Sequence, residues 1–238
     1  AVDIAKESAD IVLMEKSLLV LNAGVMEGRR TFGNIVKYIK MGTSSAFGNM
    51  FSMLGASILL PFLPMLPVQI LLNNLLYDFS QTGIPFDHVD PEYLEMPREW
   101  KLRDIRRFMV FVGPVSSLFD YATFALMWFV FAANSVETQG LFQTGWFVES
   151  LMTQTLIVYI IRTARIPFLQ SNPAPVMALV TMVVMAIGIA IPYTPIGSGL
   201  GMVHLPLVYF GWLSAILLSY CILTHLVKTW YVRRYGWN

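Results

Sequence analysis

Basic residues in this 238-residue chain are confined to four stretches, and that confinement constrains the fold more than any motif. The sixteen Lys and Arg lie at positions 6–40, 98–107, 162–165 and 228–234. Between them run six apolar segments, about 35–60, 67–85, 108–133, 146–161, 174–192 and 206–228. Each is about long enough to cross a hydrocarbon core of roughly 30 Å, the fourth being the shortest. The runs are too long and too unalternating for barrel strands. Breakers separate them, among them Pro61, Pro64 and Pro67, then Pro85, Pro91 and Pro97, then Pro167, Pro173 and Pro175. Composition agrees. Charged residues make up 13 % of the chain, against about 25 % in soluble domains.

With six crossings, every basic residue falls on one side: the N-terminal region, loop 86–107, loop 162–173 and the C-terminal tail. Loops 61–66, 134–145 and 193–205 carry none. The positive-inside rule then places both termini in the cytoplasm. Trp146, Trp212 and Trp230 are expected at the membrane interfaces, and Trp128 in packing. The lone Cys221 permits no internal disulfide and reads as an inert packing thiol. No signal peptide opens the chain, and the missing initiator Met points to a piece of a longer one. No nucleophile–His–acid set and no nucleic-acid signature is present. His88, His204 and His225 lack metal-ligand spacing.

The second segment holds a carboxylate, Asp78, about 16 Å from its Pro67 end. A charge at that depth is costly and marks a functional site by default. Asn74 lies one turn away at i−4, and Gln81 follows on the next turn. Counting from Lys40, Asn49 on the first segment is expected at the depth of Asp78, flanked by Ser45 and Ser52. One carboxylate with amide oxygens and waters suits Mg2+, which takes octahedral oxygen ligands and gives up water reluctantly. The alternative is that Asn49, Asn73 and Asn74 only hydrogen-bond between helices. Asp120 and Glu149 are expected to share a depth slightly beyond Asp78. Each reads either as part of an ion site or path, or as a structural acid. Ser116, Ser117 and Thr123 are placed to hydrogen-bond Asp120. Gly48, Ser52 and Ala56 repeat at four-residue spacing, which lets helices approach closely.

Residues 1–30 do not belong to the membrane. Ala1–Ser8 reads as a helix end and Asp10–Met14 as a short buried strand. Thirty residues cannot bury a core alone, so a partner domain is expected. The run Asp3-Ile4-Ala5-Lys6-Glu7-Ser8-Ala9-Asp10-Ile11-Val12-Leu13, with Glu27-Gly28-Arg29-Arg30 and Asn34-Ile35, resembles the end of the phosphorylation domain of a P-type ATPase leading into its fifth transmembrane helix. Leu72–Pro85 and Phe86-Asp87-His88-Val89-Asp90 are similar to bacterial magnesium-transporting members of that family.

The resemblance implies an all-α membrane protein: a six-helix transmembrane bundle (31–238) behind a short cytoplasmic α/β tail-end of the phosphorylation domain (1–30). It implies an ATP-driven pump of the bacterial inner membrane that carries Mg2+ into the cytoplasm, with Asn49, Asn74 and Asp78 at cation-ligand positions. Glu149 matches a ligand position of calcium pumps. Asn49 stands where those pumps have Glu, and Ala46 where they have Asn, which leaves fewer negative ligands. The phosphorylated-Asp motif, the nucleotide-binding domain, the actuator and four earlier helices are missing. The chain alone should therefore not hydrolyse ATP, and should pack loosely in lipid without its partners. Loop 86–107, with six acidic and five basic residues, reads as solvated, though by resemblance it docks on the phosphorylation domain. Arg233 and Arg234 are placed to meet anionic lipid headgroups. A proton pump is the nearest alternative. A stand-alone six-span channel or secondary transporter is the other, and the lack of an internal repeat speaks against it.

Overall fold

A computed structural model describes residues 3–15 and 17–237. Ala1, Val2 and Lys16, which entered the reading above, lie outside the described residues. After a short helix, α1 (Asp3–Glu7), Ser17 caps a long α2 (Leu18–Leu59) by accepting from the Leu19 N–H. The 42 residues of α2 span about 63 Å. Pro67 opens α3 (Pro67–Gln81), whose chain reverses through a 3-10 turn (Ile84–Phe86) and α4 (Pro91–Leu94). Then follow α5 (Leu102–Ala125), which ends in a π-helical turn (Leu126–Val130), and α6 (Gln139–Ile161). The remainder is α7 (Pro175–Ala190) with a 3-10 turn (Ile191–Tyr193), α8 (Pro195–Gly199) and α9 (Leu207–Tyr235).

The expected all-α bundle is present, and among the described residues no strand forms. Residues 10–14 have no regular structure, and Ile11 and Met14 are exposed. A lone strand has no partner for its backbone groups. This corrects the strand read at Asp10–Met14. Among the described residues four helical runs are long and apolar enough to cross a membrane: Leu102–Val130, Gln139–Ile161, Pro175–Tyr193 and Leu207–Tyr235. The other two of the six runs do not qualify on their own. The 15 residues of α3 reach only about 22 Å, and they include Gln69, Asn73, Asn74, Asp78 and Gln81. These two polar helices carry the candidate ligands.

Helix α6 is buried on nearly all sides and sits at the centre, packed by α2, α3, α5, α7 and α9. Helices α7 and α9 lie outside it and turn Leu179, Met182, Leu218 and Ile222 outward. The most extensive helix packing is α2 on α5. A Cβ on Gly48 would come within 2.7 Å of the Gly113 carbonyl oxygen, so only Gly fits at this crossing. Ser117 Oγ donates to the Gly48 carbonyl across it at 2.8 Å.

One end of the bundle is held by buried charges. Asp87 accepts from Lys37 Nζ at 2.9 Å, from Arg162 Nε at 2.9 and 3.0 Å, and from the Ala174 N–H at 3.2 Å. Asp90 accepts from Thr163 Oγ1 and the Ala164 N–H. Lys228, at the end of α9, donates to the carbonyls of Ile160, Thr163 and Arg165, where the C-terminus of α6 favours a cation. The loop read as solvated is therefore anchored: Asp87 is 2 % exposed. Burial alone would raise the Asp87 carboxyl, but the Arg162 hydrogen bond and the Lys37 charge outweigh it and hold it below its ordinary 3.8.

Candidate functional site

Asn34 sets the register between α2 and the chain beyond α3. Its Nδ2 donates to the carbonyls of Pro85 and Asp87 at 3.2 and 3.1 Å. With the antiparallel helices fixed there, Asn49 falls opposite the Ile70–Asn74 stretch rather than Asp78. Asn49 and Asn74 border one small hollow of about 40 Å3 with Ile70, Asn73, Trp146 and Ser150. Asp78 borders a different one, a groove of about 480 Å3 nearer the charged end, with Thr31, Asn34, Tyr38, Gln81 and Thr82. The expectation that Asn49 and Asp78 share a depth counted from Lys40, and so missed the register that Asn34 imposes.

Asn74 and Asp78 stay on one face of α3, as their spacing requires. That face is exposed, turned away from α6. Asn73 points the other way. Its Nδ2 donates to the Phe147 carbonyl at 3.1 Å, and its Oδ1 accepts from Gln154 Nε2 at 3.1 Å. Asn73 thus ties α3 to α6 with both ends of its amide.

Asp120 and Glu149 come together in the core, between α5 and α6. Asp120 accepts from Ser52 Oγ at 2.5 Å and from Trp146 Nε1 at 2.6 Å. Its partners arrive from α2 and α6, not from its own helix. Ser116 instead bonds the Gly113 carbonyl, Ser117 bonds Gly48, and Thr123 Oγ1 has no partner among the described residues. Short hydroxyl side chains in helices favour nearby carbonyls. Trp146, expected at an interface, is 2 % exposed because its N–H serves Asp120. Glu149 is 0 % exposed. It lies close enough to Asp120 for the two carboxyls to interact, and no N–H or hydroxyl donor among the described residues reaches either of its oxygens. No cluster of three or more His, Cys, Asp and Glu suited to a metal occurs among the described residues. The oxygens on offer are mostly amide and hydroxyl.

The profile of the family described as cation transporting ATPase, C-terminus, matches residues 62–230. The chain belongs to the cation-transporting ATPase family. Proteins named Magnesium-transporting ATPase, P-type 1, from Salmonella typhimurium (strain LT2) and Escherichia coli (strain K12) are each 60 % identical to it over 100 % of its length. A calcium-transporting ATPase of Bacillus subtilis is 36 % identical over 83 residues, 35 % of this chain and 9 % of that protein. The chain spans about a quarter (26 %) of the magnesium-transporting relatives it matches. Within this ATPase family it represents the C-terminal membrane region, which agrees with its apolar helices.

Proposed function

We propose that this chain is the membrane-transport portion of a P-type ATPase that carries Mg2+ across the bacterial inner membrane into the cytoplasm. The ion binds around Asn49, Asn74 and Asp78. The observation that carries the reading is the open polar face of α3. Asp78 and Asn74 stand on it without an ion pair among the described residues, and Asn49 closes on Asn74 from α2. A carboxylate held without a counter-charge among apolar helices is expensive, and a cation repays that expense. One carboxylate, two amides and waters supply the oxygen-only octahedral set that Mg2+ takes. The names of the 60 % identical relatives support the same cargo.

The charged end is the cytoplasmic one by the positive-inside rule. Both termini of the chain lie there, and lipid surrounds α7 and α9. The preceding part of the parent supplies four helices that cover the open face, the actuator, and the domains that bind ATP with Mg2+ and become phosphorylated. Without them this portion hydrolyses no ATP. Because α2 is one unbroken helix, a displacement at its start reaches Asn49. The buried joint around Asp87 is the fixed point against which it moves.

A second reading, proton transport, is favoured by one observation, the buried carboxyl pair of Glu149 and Asp120, which no cation meets among the described residues. The test is Mg2+ uptake by the full-length parent carrying Asp78→Asn, with phosphoenzyme formed from ATP measured in parallel. Loss of uptake with phosphorylation retained is expected. Full uptake at unchanged affinity would remove Asp78 from the site.

A further inference from the structure

We infer that the groove between α2 and α3 at the charged end is a second station for the cation, where a divalent ion rests with most of its water shell. This builds on the pump reading above. At about 30 Å3 per water, six waters fill roughly 180 Å3, and the groove offers about 480 Å3. The hollow beside Asn49 and Asn74, at about 40 Å3, has room for only about three waters at roughly 10–15 Å3 each. An ion passing between the two must shed most of its shell. Asp78 borders the groove on the way and supplies a negative charge where that water is lost.

Two oxygens mark the station. Asn34 is 5 % exposed, and its nitrogen is committed to the Pro85 and Asp87 carbonyls, which fixes which end of the amide is oxygen. That oxygen has no hydrogen-bond partner among the described residues. Gln81 is 4 % exposed, and its Oε1 is likewise unpartnered. Buried acceptors are seldom left unmet. Here two belong to the walls of one groove, one from α2 and one from α3, beside a carboxylate. Oxygen ligands without nitrogen or sulfur suit a hard divalent cation and its bound waters. Both oxygens are closed to solvent in this arrangement, so the station opens when the Gln81 side chain turns toward the groove while the Asn34 joint to Pro85 and Asp87 stays closed. It therefore belongs to one stage of the transport cycle.

Because Asn34 also holds the 85–87 turn, the station is tested at Gln81. Mg2+ uptake is measured in vesicles bearing the full-length parent as wild type, Gln81→Leu, Gln81→Glu and Asp78→Asn. Phosphoenzyme from ATP and the amount of folded protein are measured for each. Expected is a roughly tenfold fall in maximal uptake for Gln81→Leu at near-normal phosphoenzyme, with Gln81→Glu recovering at least half of wild-type uptake. Uptake by Gln81→Leu within twofold of wild type, or equal impairment by Leu and Glu, would overturn the station. If Asp78→Asn alone is impaired, the station falls and the ion-site reading stands. If Asp78→Asn transports normally, both fall.

Discussion

Asp78 and Asp87 lie nine positions apart on the same stretch of chain and have opposite surroundings. Asp87 is buried beneath Arg162, Lys37 and the Ala174 N–H, with every side of its carboxylate engaged. Asp78 stands on an open helix face beside Asn74, bordering a groove of about 480 Å3. Charges that hold the frame bring their counter-charges with them, because a buried ion without a partner is prohibitively costly. A charge meant for a travelling ion has to be left available. Asp120 lies between these extremes, with two neutral donors, Ser52 and Trp146, and no cation among the described residues.

The contrast can be broken most forcefully at the joint. Asp87→Ala leaves Arg162 and Lys37 buried around a missing carboxylate, and removing one partner of such a set costs about 3–5 kcal/mol. Thermal unfolding of the full-length protein in detergent should show it as a large fall in midpoint. Lys37→Met removes the smaller part, since Arg162 keeps its contact with both Asp87 oxygens. A loss of about 1–3 kcal/mol is expected from the same measurement.

Acid sharpens the comparison further. A carboxyl held below its ordinary value lends stability at every pH above that value, and loses it as pH falls through the held-down value. The gap in unfolding midpoint between wild type and Asp87→Asn should be constant from pH 7 to pH 5 and narrow only below about pH 4. The smallest effect belongs to the open face. Asn74→Ala should change stability by no more than about 0.5 kcal/mol, as for an exposed side chain, while raising the Mg2+ concentration needed for half-maximal uptake.

The helical bundle was legible in the sequence because apolar runs and basic residues alternate along it. The face shared by Asn74 and Asp78 was legible because four-residue spacing is local. The joint was not. Arg162 is 75 residues from Asp87 and Lys37 is 50 away, so the loop's mixed charges looked like a solvated surface. Depth failed for a related reason. Asn49 was counted from Lys40, but the register is set by Asn34 on the carbonyls of Pro85 and Asp87. Trp146 looked like an interface anchor until its N–H was found on Asp120, a pairing across helices that no local pattern encodes. The strand read at Asp10–Met14 needs a partner that the described residues do not contain.

The most direct test of the claim that Asp78 serves the ion and Asp87 serves the frame is Mg2+ uptake per folded molecule. It is measured in parallel for the full-length Asp78→Asn and Asp87→Asn proteins, with unfolding midpoints taken on the same preparations. The account predicts a crossed result: Asp78→Asn keeps a wild-type midpoint and transports almost nothing, while Asp87→Asn unfolds far more easily and its surviving folded molecules still transport. Normal transport by Asp78→Asn, or a fall in its midpoint as large as that of Asp87→Asn, would contradict it.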